Sequence, residues 1–259
     1  MVFRPLAIAI AAGLIAGSAI AQPTPVQADK PASDKSQITP ELRGDIFMAK
    51  KQYREAIDAF REGSQKDPVL WNKMGIAYHQ MARTNADLDQ ALKCYQQAVR
   101  LKKDYIEAIN NIGTIYYARK SYRRAITQYR RAIAFFPQEP RSASIYSNLG
   151  TAYFSRKQYQ EATDAFQNAM ALDPDVFEHR GNYGVMLEER NVEERAKYHY
   201  YVAKLYAKSG RNDLALQYLR KALEEGFKDK KQLEKDPEFA GLRDLQEFKD
   251  LLTLEPRGL

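Results

Sequence analysis

Residues 106–139 read IEAINNIGTIYYARKSYRRAITQYRRAIAFFPQE. Ile109, Ile112, Gly113 and Tyr116 form one apolar stripe; Ala125, Ile126, Tyr129, Ala132 and Ile133 form a second. Spacings of three and four residues are the helical period. The stretch is therefore predicted to be two amphipathic helices joined at Lys120-Ser121, with Pro137 ending the second. Gly113, Ala125 and Ala132 are small where the stripes must meet, which lets the helix axes come close. Tyr116 and Tyr129 fill the space around them. One such hairpin cannot bury its own apolar faces, so it requires neighbours.

The chain supplies them. The small alanine that opens each second helix falls at Ala56, Ala91, Ala125, Ala162 and Ala196, at intervals of 35, 34, 37 and 34 residues. The second helices stop at Pro68, Lys103, Pro137, Pro174 and Lys208. Gly44, Phe47, Ala56 and Phe60 mark the first unit. Trp71, Met74, Gly75 and Tyr78 mark the second, and Tyr146, Leu149, Gly150, Tyr153 and Phe166 the fourth. This pattern resembles the tetratricopeptide repeat, a helix-turn-helix unit of about 34 residues with the signature W-x2-L-G-x2-Y…A-x3-F…P. The resemblance covers about residues 38–225. It implies an all-α, right-handed superhelical solenoid of helix hairpins, about five to six repeats over 38–228.

Several details are expected around that frame. Thr39-Pro40-Glu41 is a helix start: a hydroxyl cap, a first-turn proline and an acid at the positive helix end. Pro40 and Arg43 depart from the family pattern, consistent with a first unit whose outer face is polar because nothing precedes it. The turn Arg83-Thr84-Asn85-Ala86 is longer than the others, and Asp87 with Gln90 looks like a capping box. After Pro174 two frames compete. Tyr183, Gly184 and Leu187 read as a first helix, with Ala196, Tyr200 and Ala203 on its second. Helix 194–208 also reads as a first helix, with Ala215, Leu219 and Ala222 on the second. Residues 229–259 read as a capping helix and tail; Asp236-Pro237 opens a helix carrying Phe239, Leu242, Leu245, Phe248, Leu251 and Leu252.

The N-terminus differs from the rest. A basic start at Arg4 precedes an uncharged apolar run from Leu6 to Ile20, then Ala19-Ile20-Ala21 and Gln22. This is the pattern of a secretory signal peptide, residues 1–21. The run is short for a membrane span, which needs about 20 apolar residues. Residues 22–37 hold Pro23, Pro25 and Pro31 without apolar periodicity and read as a disordered linker. The expected location is therefore outside the cytoplasm, periplasmic or secreted, with no span left after cleavage. Cys94 is the sole cysteine, so no internal disulfide forms; it reads as a small packing residue.

The formal net charge is +7, spread thinly along helix surfaces, with no block of five like charges. His79, His179 and His199 lie apart, without a second ligand at metal spacing. No phosphate loop, nucleophile elbow or zinc motif is present, so no cofactor, metal or catalytic residue is expected. The tyrosines fall on repeat packing positions and do not argue for nucleic acid. The one dense acidic patch is Glu188-Glu189 with Glu193-Glu194, and an enzyme acting on cell-wall polymer would need it.

What remains is the free face of each first helix. It carries Asn72, Ile76 and His79 in the second unit, Asn110, Thr114 and Tyr117 in the third, and Ser147, Thr151 and Phe154 in the fourth. One position on, Asn111, Asn148 and Asn182 recur, with Lys73 in the second unit. The resemblance implies that this face lines a concave groove holding an extended peptide or a partner's helix. There an asparagine amide bonds the peptide backbone, as donor and acceptor together. Asparagine at this position also serves in repeats to link neighbouring helices. The expected function is non-catalytic binding of a protein or peptide in the bacterial cell envelope. A permanent subunit using its outer faces is the alternative.

Overall fold

The computed structural model describes residues 38–178 and 192–254. Within these, the first four hairpins are α1 (Pro40–Ala49) with α2 (Tyr53–Arg61), α3 (Pro68–Met81) with α4 (Asp87–Leu101), α5 (Ile106–Ala118) with α6 (Tyr122–Phe135), and α7 (Ala143–Ser155) with α8 (Tyr159–Leu172). A fifth joins α9 (Val192–Lys208) to α10 (Asn212–Glu224). Each second helix also packs on the next first helix, α2 on α3, α4 on α5 and α6 on α7, so the hairpins stack as a solenoid. Every described regular element is helical, and none is long and apolar enough to cross a membrane.

The same close approach builds the first four hairpins. Gly44, Gly75, Gly113 and Gly150 each lie under a ring from the second helix: Phe60, Tyr95, Tyr129 and Phe166. A Cβ on Gly113 would stand 2.5 Å from Tyr129 Cε1. Glycine and ring are 16 residues apart in three hairpins and 20 in the second, whose longer turn accounts for the difference. Ala56, Ala91, Ala125 and Ala162 are buried beside these rings.

The turns repeat as well. Lys51, Lys120, Lys157 and Gly210 all have positive φ, seven residues after the close-packed position. Gln52, Ser121, Gln158 and Arg211 then donate their backbone N–H to the carbonyls of Phe47, Tyr116, Tyr153 and Tyr206. A left-handed residue followed by this bond closes the open carbonyls of a helix end. The long turn of the second hairpin is built differently, and its capping box joins Thr84 to Asp87, whose N–H donates to Thr84 Oγ1 at 3.3 Å, one turn before the expected Asp87–Gln90 pair. The Asp87 carboxylate reaches backwards and accepts from the N–H groups of Arg83 and Thr84, both at 2.9 Å. Those bonds hold it below the usual carboxylate range.

The last frame resolves in favour of α9 as a first helix. Ala203 and Leu219, 16 residues apart and both fully buried, occupy the places of glycine and ring. Ala215, not Ala196, is the register alanine. A methyl on the first helix is matched by an aliphatic side chain in place of a ring on the second, which keeps the volume between the axes. The helix expected around Tyr183, Gly184 and Leu187 lies outside the described residues, as do residues 1–37, where a signal peptide and a linker are expected.

The C-terminal stretch covers α9 and α10, but not as one continuous helix. It forms α11 (Lys230–Lys235), a 3-10 segment (Pro237–Leu242) and α12 (Gln246–Thr253). Asp236 is extended, as a residue before proline prefers, and this breaks the helix. Phe239, Leu242, Phe248 and Leu251 are buried, while Leu245, at the second break, is exposed. Buried Asp236 fastens the cap. It accepts from the Tyr200 hydroxyl and from Gln232 Nε2, and Lys204 Nζ stands 3.5 Å away.

At the other end the expected polar face is absent. Thr39 caps α1 by accepting from Leu42 N–H at 3.2 Å, as read. The outer side of α1, however, exposes Leu42 and Ile46, and Ile38, ahead of the cap, is exposed as well.

Candidate binding face of the first helices

The recurring asparagines meet one another. Asn111 Nδ2 in α5 donates to Asn72 Oδ1 in α3 at 3.0 Å. One hairpin further, Asn148 Nδ2 in α7 donates to Asn110 Oδ1 in α5 at 2.9 Å. In each pair the acceptor lies three residues before its glycine and the donor two residues before the next one. All four are buried. Burying an amide costs free energy unless it is bonded, so a pair that satisfies itself can sit inside the stack.

The first junction uses the same two positions with charge. Lys73, in the place of Asn111, reaches Glu41, in the place of Asn72, at 2.7 Å and Asp45 at 2.6 Å. Burial alone would lower the Lys73 ammonium, but its bonds to Asp45 and Glu41 outweigh this and hold it raised.

The other candidates divide between the stack and its surface. The Tyr117 hydroxyl is 2.8 Å from Ser155 Oγ, which ties α5 to α7. Thr151 is buried. Phe154 is buried edge-on against Tyr159, Tyr198 and Tyr201. Thr114, Ser147, Ile76 and His79 stay half-buried, with an edge toward solvent. Burial holds the His79 imidazole below its usual value. Thr114 Oγ1 donates to Asn110 O at 3.2 Å, an ordinary helical return bond. Asn182, His179 and Glu188-Glu189 lie outside the described residues.

One accessible group escaped the sequence reading. Tyr201 of α9 stacks on Tyr159 at 5.4 Å between centroids, and Lys197 Nζ lies 3.8 Å over the same Tyr159 ring. These residues line up with the first-helix face only once α9 is a first helix, and the 16-residue step from Ala203 to Leu219 was the signal for that. On the outside, the exposed positions of α6 carry Arg123, Arg124, Arg130 and Arg131 and no acid, whereas those of α8 include Glu161 and Asp164. Cys94 is buried, with its thiol pushed up to about 11 by burial, which suits packing and not reactivity. Among the described residues no group of three potential metal ligands comes together.

Comparison with known families and structures agrees with this architecture. Models described as tetratricopeptide or TPR repeats match residues 87–119, 104–175 and 196–225. The last range coincides with the α9–α10 hairpin. The peroxisomal targeting signal receptor of Kluyveromyces lactis is 29% identical over 83 residues, which is 30% of this chain and only 14% of the receptor. The Pseudomonas aeruginosa pilF structure aligns with TM-score 0.52 and 16% identity over 81% of this chain and 83% of its own, a likeness of fold. MamA from Desulfovibrio magneticus RS-1 aligns at TM-score 0.45 and 20% identity over 72% of this chain and 92% of its own.

Proposed function

We propose that this chain, a tetratricopeptide-repeat protein, is a non-catalytic scaffold of the bacterial cell envelope that holds a partner's segment along its first helices. The supporting observation is the junction series Lys73–Glu41, Asn111–Asn72 and Asn148–Asn110. It pins successive first helices in one register before any partner arrives. A preformed face loses little freedom on binding, so modest contacts suffice for affinity. The contacts themselves fall to the half-exposed rim: Ile76 and His79, Thr114, Ser147, and the Tyr201–Tyr159 stack under Lys197. The buried asparagines position that rim and do not touch the partner.

A photo-crosslinker placed at Ser147 tests this against one placed at Asn168 on the exposed side of α8. Specific adducts from Ser147 alone are expected. Adducts from Asn168 alone would favour a permanent subunit held by its outer faces. The four arginines of α6 are the observation on that side.

The envelope location rests on the signal-peptide pattern of residues 1–21. Mass spectrometry of the exported protein should find Gln22 at the N-terminus; an intact Met1 or Val2 start in the membrane fraction would overturn the cleavage.

A further inference from the structure

The second helices differ from one another in charge. In α6, Arg123, Arg124, Arg130, Arg131 and Phe135 are exposed. They fall within one arc of about 140° around the helix. In α4 the exposed cations are Lys93 and Arg100, followed just past its end by Lys102 and Lys103. Among the described residues, Lys93, Arg100 and the four arginines of α6 form no ion pair. The acids of α4 are engaged elsewhere, Asp89 with Arg119 and Asp87 with the turn that it closes. On either side the pattern changes. In α2, Glu55 and Asp58 stand among Arg54 and Arg61, and α8 presents Glu161 and Asp164. The excess of positive charge is therefore local to the second and third hairpins. Two large apolar side chains lie in the same field. Leu101 and Phe135 each follow the register alanine of their helix by ten residues, and they are 39% and 42% exposed.

We propose that this face, carried by the second helices and separate from the first-helix rim, docks on an anionic bilayer surface. Charge complementarity is the first argument. Each cation held near anionic headgroups strengthens adsorption about fivefold, and six unpaired cations act together. The second argument is the exposed Leu101 and Phe135. Leucine and phenylalanine beside arginine and lysine are the composition of a surface that rests at the boundary of headgroup and acyl chain. The third is the spread of the cations over two helices. Mobile headgroups can gather under all six, whereas a folded protein would have to hold an acid opposite each one.

Cosedimentation with vesicles tests the proposal, comparing pure phosphatidylcholine with mixed phosphatidylglycerol–phosphatidylcholine. The readout is the ratio of the two partition coefficients, in which any segment common to parent and variants cancels. The parent should prefer the mixed vesicles at least roughly fiftyfold at low salt, and added salt should shrink the preference. Replacing Arg123, Arg124, Arg130 and Arg131 together by glutamine should reduce it at least roughly tenfold. Replacing the same four by lysine should keep it. All four are exposed, so both variants should melt with the parent. Leu101→Ser with Phe135→Ser should weaken adsorption to the mixed vesicles roughly fivefold while leaving binding to soluble polyglutamate unchanged. A parent without preference for the mixed vesicles, a glutamine variant that keeps it, or a lysine variant that loses it would overturn the proposal. So would a serine variant that adsorbs as tightly as the parent. A parent that binds polyglutamate but not the mixed vesicles would assign the cations to an acidic protein instead.

Discussion

Asn111 donates its amide to Asn72 across 39 residues of chain, and Asn148 repeats the bond to Asn110 across 38. Of the two roles the sequence left open for Asn111 and Asn148, a bond to a ligand or a link between neighbouring helices, the structure shows the link. Lys73 performs the same task at the first junction with an ion pair. One pair of positions, three and two residues before the glycine, therefore joins the first four hairpins, and the chemistry at those positions changes along the stack.

Gly113 shows how tight the hairpins are. Gly113→Leu drives a branched side chain into the Tyr129 ring and should cost ~1–3 kcal/mol or more. Gly241→Leu should cost far less, because a Cβ there meets nothing within 4 Å. Equal melting temperatures for the two variants would contradict the glycine–ring register.

The turn positions separate backbone strain from packing. Gly210 has φ +76° and no atom within 4 Å of an added Cβ, so Gly210→Ala tests conformation alone. It should lose about 1 kcal/mol, the usual cost of a left-handed residue. Lys120, at φ 57°, already bears that cost, and Lys120→Gly should be neutral or slightly stabilising in the same urea titration. A clear loss at Lys120→Gly would contradict this reading of the turns.

Lys73→Met should leave Glu41 and Asp45 facing each other without a cation. The lysine side chain is a quarter exposed, so solvent screens the ion pairs and the loss should be about 1 kcal/mol. Added salt should shrink the gap between parent and variant. Unfolding midpoints that coincide at low salt would show that the first junction does not depend on charge.

Acid should weaken the fold through buried imidazole. Burial lowers His79, and at His199 burial outweighs the bond to Glu225 at 2.8 Å. A folded pKa below the unfolded one means that the unfolded chain binds more protons. This contribution to stability is therefore complete above about pH 6.5 and declines as the pH falls through the lowered values. Urea midpoints at about pH 7.5 and about pH 5 should differ, and His79→Gln should reduce the difference. An undiminished difference in that variant would remove His79 from the cause.

Much of the fold was legible because its parts are local. Glycine, ring and alanine recur inside each hairpin, and each can be read from one stretch of 34 residues or so. The last hairpin was ambiguous because Ala203 and Leu219 replace glycine and ring, and Ala196 happens to continue the earlier spacing. The start of the cap's main segment at Asp236-Pro237 was legible, but the second break, between Leu242 and Gln246, was not, because Leu245 continues the apolar spacing although it is exposed. The exposed stripe of α1 was missed because Pro40 and Arg43 drew attention to polar departures, while Leu42 and Ile46 lie on the face turned away from α2. The asparagines were legible as a recurrence but not as a bond. Their partners sit one position over in another hairpin, and no pattern within a single helix states that pairing.

A double-mutant cycle on Asn72 and Asn111, read by urea unfolding, decides whether the asparagines clamp the stack. Asn111→Ala removes one bond and leaves the Asn72 carbonyl oxygen buried without its donor, which should cost about 1–3 kcal/mol. Asn72→Ala should cost a similar amount. The double variant should lose clearly less than the two losses added, with a coupling of about 0.5–3 kcal/mol for groups in direct contact. Strictly additive effects, or an Asn111→Ala protein as stable as the parent, would contradict the clamp and return these amides to the binding face.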